Sequence, residues 1–135
     1  MDLSKILSIS GKKGLFKMVS QGKNNVIVES FENNKRFPAF QSDGVSSLDN
    51  ISIYTHDEPV ELGTLFQSIY LKQEKQPINY QSWSEAEMRA YFKEILPEYD
   101  EERVFASNIK KVYQWYNILL EHDLITIDET EVISD

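Results

Sequence analysis

The chain has no cysteine. That removes disulfides, thiolate nucleophiles and cysteine metal sites together, and it fits a reducing compartment. Histidine is nearly as scarce, with only His56 and His122. Five glycines and four prolines are too few for a collagen-like or low-complexity chain. Long apolar runs are also missing: the longest aliphatic ones are Val26-Ile27-Val28 and Ile118-Leu119-Leu120. A bilayer-spanning helix needs about 20 apolar residues, so none is expected. The opening residues MDLSKILSISGKKG lack the basic start and apolar stretch of a signal peptide. These absences together predict a soluble, cytoplasmic protein.

What is present is apolar and aromatic. Of 135 residues, 41% are hydrophobic, including seven Phe, seven Tyr and two Trp, enough for a real core in one ordinary domain or two small ones. Charge is uneven. Residues 1–76 carry nine Lys/Arg and nine Asp/Glu, whereas residues 77–135 carry five against thirteen. Over residues 1–50 the balance is slightly basic, seven against five. Screening over about 8 Å at physiological salt lets a basic patch there act apart from the acidic half.

Hydrophobic periodicity divides the chain into two parts. Residues 2–8, DLSKILS, predict a short helix capped by Asp2, with Leu3, Ile6 and Leu7 on one face and Gly11 past its end. The period then shortens. Residues 15–20 and 26–31 predict a hairpin around Gln21–Asn25, and 36–40 a third strand with Pro38 at a sheet edge or bulge. A helical turn at 46–50 and an alternating strand at 51–55 follow. From Pro59 the period is helical. Leu62, Leu65, Phe66 and Ile69 mark one helix, and residues 72–82 read as a linker. Ser84 and Glu87 form a capping box ahead of a stripe of Met88, Tyr91, Phe92, Ile95 and Leu96. A last helix over 101–121 carries Phe105, Ile109, Val112, Tyr116 and Leu119, widened by Trp115, Ile118 and Leu120. Residues 125–127 predict a short strand. The pattern is α+β: a small SH3-like β-barrel with a short N-terminal helix over 1–57, a three-helix part over 58–127, and a flexible tail over 128–135.

Few residues carry chemistry. GKKGLFKMVSQGKN, residues 11–24, has the glycines and lysines of a phosphate loop but not its spacing: Gly22-Lys23 is followed by Asn24, and no helix begins there. Turn glycines account for it better. Lys12, Lys13, Lys17, Lys23, Lys35 and Arg36 interleave with Phe16, Phe31, Phe37 and Phe40, a composition that serves single-stranded nucleic acid when the rings are exposed, and a barrel core when they are not. His56 and His122 each sit beside carboxylates, but a shared metal site requires that their segments meet. Glu98, Asp100, Glu101 and Glu102 read as acidic residues at a helix start. No serine has the nucleophile-elbow setting. Tyr113, Trp115 and Tyr116 form an aromatic stripe, core by spacing and interface material by residue type.

The set ILSISGKKGLFKMVSQGKNNVIVES, KRFPAF and SSLDNISIYT resembles the N-terminal segment of an uncharacterised Bacteroidota family of unknown function. RVFASNIKKVYQWYNILLEHDLI resembles the helical domain of unknown function that follows it. The resemblance implies a β part followed by a helical part, and it brings no activity, ligand or site residue. The resulting expectation is a protein without cofactor or catalytic set that binds a protein partner, or a second copy of itself, through Tyr113, Trp115 and Tyr116. The alternative is a nucleic-acid binder using the six basic residues.

Overall fold

The computed structural model describes residues 1–127; the tail expected over 128–135 lies outside them. The chain divides into two compact units, Asp2–Ile51 and Ser52 onward.

The first unit is an antiparallel five-stranded sheet: β1 (Ile6–Ile9), β2 (Phe16–Gln21), β3 (Asn25–Ser30), β4 (Arg36–Phe40) and β5 (Val45–Ser47). Their order is β4-β3-β2-β1-β5, which leaves β4 and β5 as unpaired edges. The expected barrel is therefore an open sheet. Its core nevertheless joins both edges. Leu7, Ile9, Phe16, Val28 and Ala39 are buried together, with Val26, Phe37 and Val45 packed on them, so the sheet curls over its own apolar face. Pro38 sits on edge strand β4 opposite Ile27, at a position whose absent N–H faces the open edge rather than the β3 ladder.

The expected N-terminal helix is a strand. Asp2 does cap a turn, through Ser4 N–H to Asp2 Oδ1 at 2.9 Å, and Ile6 N–H reaches back to Leu3 C=O at 3.1 Å. Beyond that turn β1 takes ladders on both sides, Leu7 lying opposite Phe16 and Ser47. Seven residues form a marginal helix alone, and two ladders outbid it. Gly11, at φ 77°, turns the chain from strand to strand rather than ending a helix.

A bulge in β2 has a lasting effect. Met18 faces Val28, but Ser20 faces Ile27 and Gln21 faces Val26. The inserted residue reverses the alternation, so Gln21 joins the face of Val26, and Val19 turns to solvent.

The second unit opens with the short pair β6 (Ser52–Ile53) and β7 (Val60–Glu61). Most of the strand expected over 51–55 thus pairs inside the helical unit. Three helices follow: α1 (Leu62–Lys72), α2 (Glu85–Ile95) and α3 (Ala106–Glu121). The predicted stripe of α1, Leu62, Leu65, Phe66 and Ile69, is buried throughout. The Ser84–Glu87 capping box starts α2 with both reciprocal hydrogen bonds, at 3.0 and 3.1 Å.

Three expectations need correction here. Residues 72–82 are not a linker: Ile78 and Tyr80 are buried, and Asn117 of α3 bonds both backbone groups of Ile78. Helix α3 starts at Ala106, five residues later than expected, so the acidic run 98–102 lies in a loop rather than on a helix dipole. Residues 125–127 form no strand, although Ile125 is buried and Thr126 C=O accepts from Gln67.

Candidate functional site

The six basic residues of the first unit do not form one patch. The β1–β2 and β3–β4 turns share one end of the sheet, tied by Phe31 N–H to Leu15 C=O at 3.2 Å, and they carry Lys12, Lys13 and Lys35, with Arg36 opening β4. Lys23 lies in the β2–β3 turn, about 20 Å away along β3 at 3.3 Å per residue. Lys17 and Arg36 flank Glu29, at 3.9 and 2.8 Å. The Arg36 hydrogen bond holds the Glu29 carboxyl below its ordinary range, so part of the positive charge is answered within the sheet. The ammonium of Lys12 stands 5.0 Å from the Phe37 ring centroid. Phe16 is buried, Phe31 and Phe37 are half-buried, and Phe40 is exposed.

The end of the sheet that bears Lys23 holds an open groove of about 400 Å³, between the β2–β3 turn and the corner joining β4 to β5. Val26, Ala39 and Val45 line its apolar part. Gln21, Asn24, Asn25 and Gln41 are among the polar residues that line the rest. The sequence signal for this groove was weak. The carboxamides are scattered over 21 residues, and only the bulge turns Gln21 toward the Val26 face.

In the second unit the aromatic residues predicted for an interface are core. Tyr113 and Tyr116 are fully buried and Trp115 is 9% exposed. Tyr113 is surrounded by Tyr80, Trp83, Tyr91 and Phe92, at centroid distances of 5.9 to 6.3 Å. Its hydroxyl donates to Met88 C=O at 2.6 Å, and that of Tyr116 donates to Gln76 C=O at 2.9 Å. Burial pushes both phenols up, Tyr116 to about 12. Above the ordinary tyrosine pKa of about 10 the unfolded chain releases protons that the folded chain keeps, so stability is complete below that pH and falls as pH rises through the folded value. An absorbance titration at alkaline pH is therefore expected to show a late phenol step near pH 12 that coincides with loss of helical circular dichroism. Late ionisation with the fold intact would contradict it.

The exposed aromatics of this unit lie elsewhere. Phe105 is 61% exposed and Tyr54 50%. The Arg103 guanidinium stands 4.4 Å from the Tyr54 ring centroid, and it bonds the Asp100 carboxylate at 2.8 Å and Thr55 C=O at 3.5 Å. Arg103 holds the Asp100 carboxyl below its usual range. Backbone bonds join the two segments: His56 N–H to Glu98 C=O and Asp100 N–H to Tyr54 C=O, both 2.9 Å. His56 is exposed beside this junction, and His122 is the residue after α3. Among the described residues no three His, Asp or Glu side chains gather as a metal site. No described helix is long and apolar enough to cross a membrane.

Both units match families defined by sequence alone. Residues 3–48 match the domain of unknown function DUF5606, and residues 51–119 match the domain of unknown function DUF6852. The chain belongs to this DUF5606–DUF6852 family. It is similar to a protein of Bacteroides vulgatus whose solution NMR structure was determined by the Northeast Structural Genomics Consortium. The two are 41% identical over 98% of this chain and 96% of that one, with a TM-score of 0.76. None of the curated proteins matches.

Proposed function

We propose that the chain is a non-catalytic interaction module that binds a protein partner through its helical unit. The observation that carries this is the exposed Tyr54 ring with Arg103 against it, and the exposed Phe105 two residues further along the chain. Aromatic residues and arginine are the types that dominate interface hot spots, and here the arginine is already held in place by Asp100 and Thr55. The fixed guanidinium loses less side-chain freedom on binding than a free one. The lack of cysteine supports work in the cytoplasm. The run from β4 through a 3-10 turn (Gln41–Asp43) into β5, which returns to β1, supports an SH3-like origin for the open sheet.

A photo-crosslinking residue at position 105, exposed and therefore tolerant, tests the reading. One dominant protein adduct is expected, lost with Arg103→Glu while helical circular dichroism is retained. Sedimentation separates a second copy from a foreign partner. A uniform background of adducts, unaffected by Arg103→Glu, would remove the basis of the reading.

The shared sheet end of Lys12, Lys13, Lys35 and Arg36 favours a second reading, a single-stranded nucleic-acid surface. Anisotropy of labelled RNA and DNA pools is then expected to show binding that falls steeply with salt and is lost on charge reversal at Lys12 and Lys13. Absence of binding at low salt removes it.

A further inference from the structure

The groove of the first unit is independent of the Tyr54–Arg103 surface, and its lining has a distinct chemistry. Five carboxamides outside the groove, those of Asn33, Gln67, Gln73, Asn108 and Asn117, bond backbone groups. The four in the groove, Gln21, Asn24, Asn25 and Gln41, make no side-chain hydrogen bond with other described residues. A carboxamide presents donors and an acceptor side by side, the pattern that matches neighbouring hydroxyls. Beside them stands Phe40, 44% exposed, as an apolar platform at the groove's margin. Lys23 is the one charged residue of the lining, and among the described residues it has no carboxylate partner.

Addition of a peptide strand is disfavoured at the β4 side. Pro38 removes a donor from the middle of that edge, and Phe40 N–H is already bonded to the Asp43 carboxylate at 2.8 Å. What remains is recognition by side chains, in a space within the range of about 300–1,000 Å³ typical of small-molecule sites. We propose that this groove binds an acidic saccharide of one or two rings. The carboxamides take its hydroxyls, Phe40 takes the apolar face of a ring, and Lys23 takes the carboxylate.

The experiment is a titration of the full isotope-labelled chain, followed by NMR shifts of side-chain amides and methyls. The probes are methyl glucuronide, methyl glucoside, sodium acetate and a blocked alanine dipeptide. Methyl glucuronide is expected to shift the amides of Asn24, Asn25 and Gln41 and the methyls of Val26 and Val45. It is expected to bind up to about five-fold tighter than methyl glucoside, the scale of an exposed ion pair, with Lys23→Gln erasing that difference. Phe40→Ala, an exposed position, is expected to weaken both sugars by about two- to ten-fold, the scale of an aromatic contact. Gln41→Ala serves as a second exposed variant and is expected to weaken both. The proposal is overturned if neither sugar moves these signals, or if acetate reproduces the shifts, which is anion binding at Lys23 alone. It is equally overturned if the dipeptide binds tighter than the sugars, or if both variants bind as the parent does.

Discussion

Replacing Tyr113 by alanine is expected to destabilise the helical unit by about 3–5 kcal/mol, the range for emptying a large aromatic site in a packed core. The ring is fully buried, and four aromatic neighbours hold it from different sides. Those neighbours sit on α2 and in the 73–84 segment, so one substitution loosens two attachments of α3. Tyr113→Phe separates packing from hydrogen bonding. It keeps the ring and leaves Met88 C=O without the donor now at 2.6 Å, for a loss of about 1–2 kcal/mol. Urea unfolding followed at the tryptophans, both in this unit, measures the two variants. A loss for Tyr113→Ala below about 1 kcal/mol, the level of ordinary surface substitutions or little more, would show that the ring is not core.

The second large effect is expected at Asn117. Its carboxamide accepts from Ile78 N–H at 2.8 Å and donates to Ile78 C=O at 2.9 Å, a two-bond anchor between α3 and the irregular stretch after α1. Ile78 itself is 1% exposed, so both backbone groups are left without partners when the carboxamide is removed. Asn117→Ala is expected to cost about 2–4 kcal/mol, since each stranded buried group carries about 1–3 kcal/mol. Asn117→Asp keeps the acceptor for Ile78 N–H but sets a carboxylate against Ile78 C=O, and it is expected to rescue little. Hydrogen exchange at Ile78 gives the local readout. Unchanged protection in Asn117→Ala would mean that Ile78 is held by packing alone.

These two residues mark different degrees of legibility. Tyr113 belongs to the apolar face of α3 by spacing, and its residue type also suits an interface; only the rings gathered around it decide for the core. Asn117 left a fainter trace. It lies four residues after Tyr113 on the same helix face, and a polar residue at such a position is a candidate for a buried hydrogen bond. Nothing local says that its partner is Ile78, 39 residues away. The Tyr54–Arg103 contact is of the same kind, made between segments that are adjacent only after folding.

The sequence by itself determined the division into a β part and a helical part, the capping box at Ser84, the buried stripe of α1 and the lack of any cysteine chemistry, and it narrowed Pro38 to a sheet edge or a bulge. Each of these depends on local periodicity, on side-chain chemistry within one turn, or on composition. The tertiary structure alone decided the conformation of residues 6–9, the burial of 78 and 80, the opposite-end placement of Lys23 and Lys35, and the groove. Strand pairing is responsible. A ladder pairs residues distant in the chain, as it sets Leu7 opposite Ser47, and a single bulged residue reverses which side chains share a face. Neither effect leaves a periodic mark in the sequence where it acts.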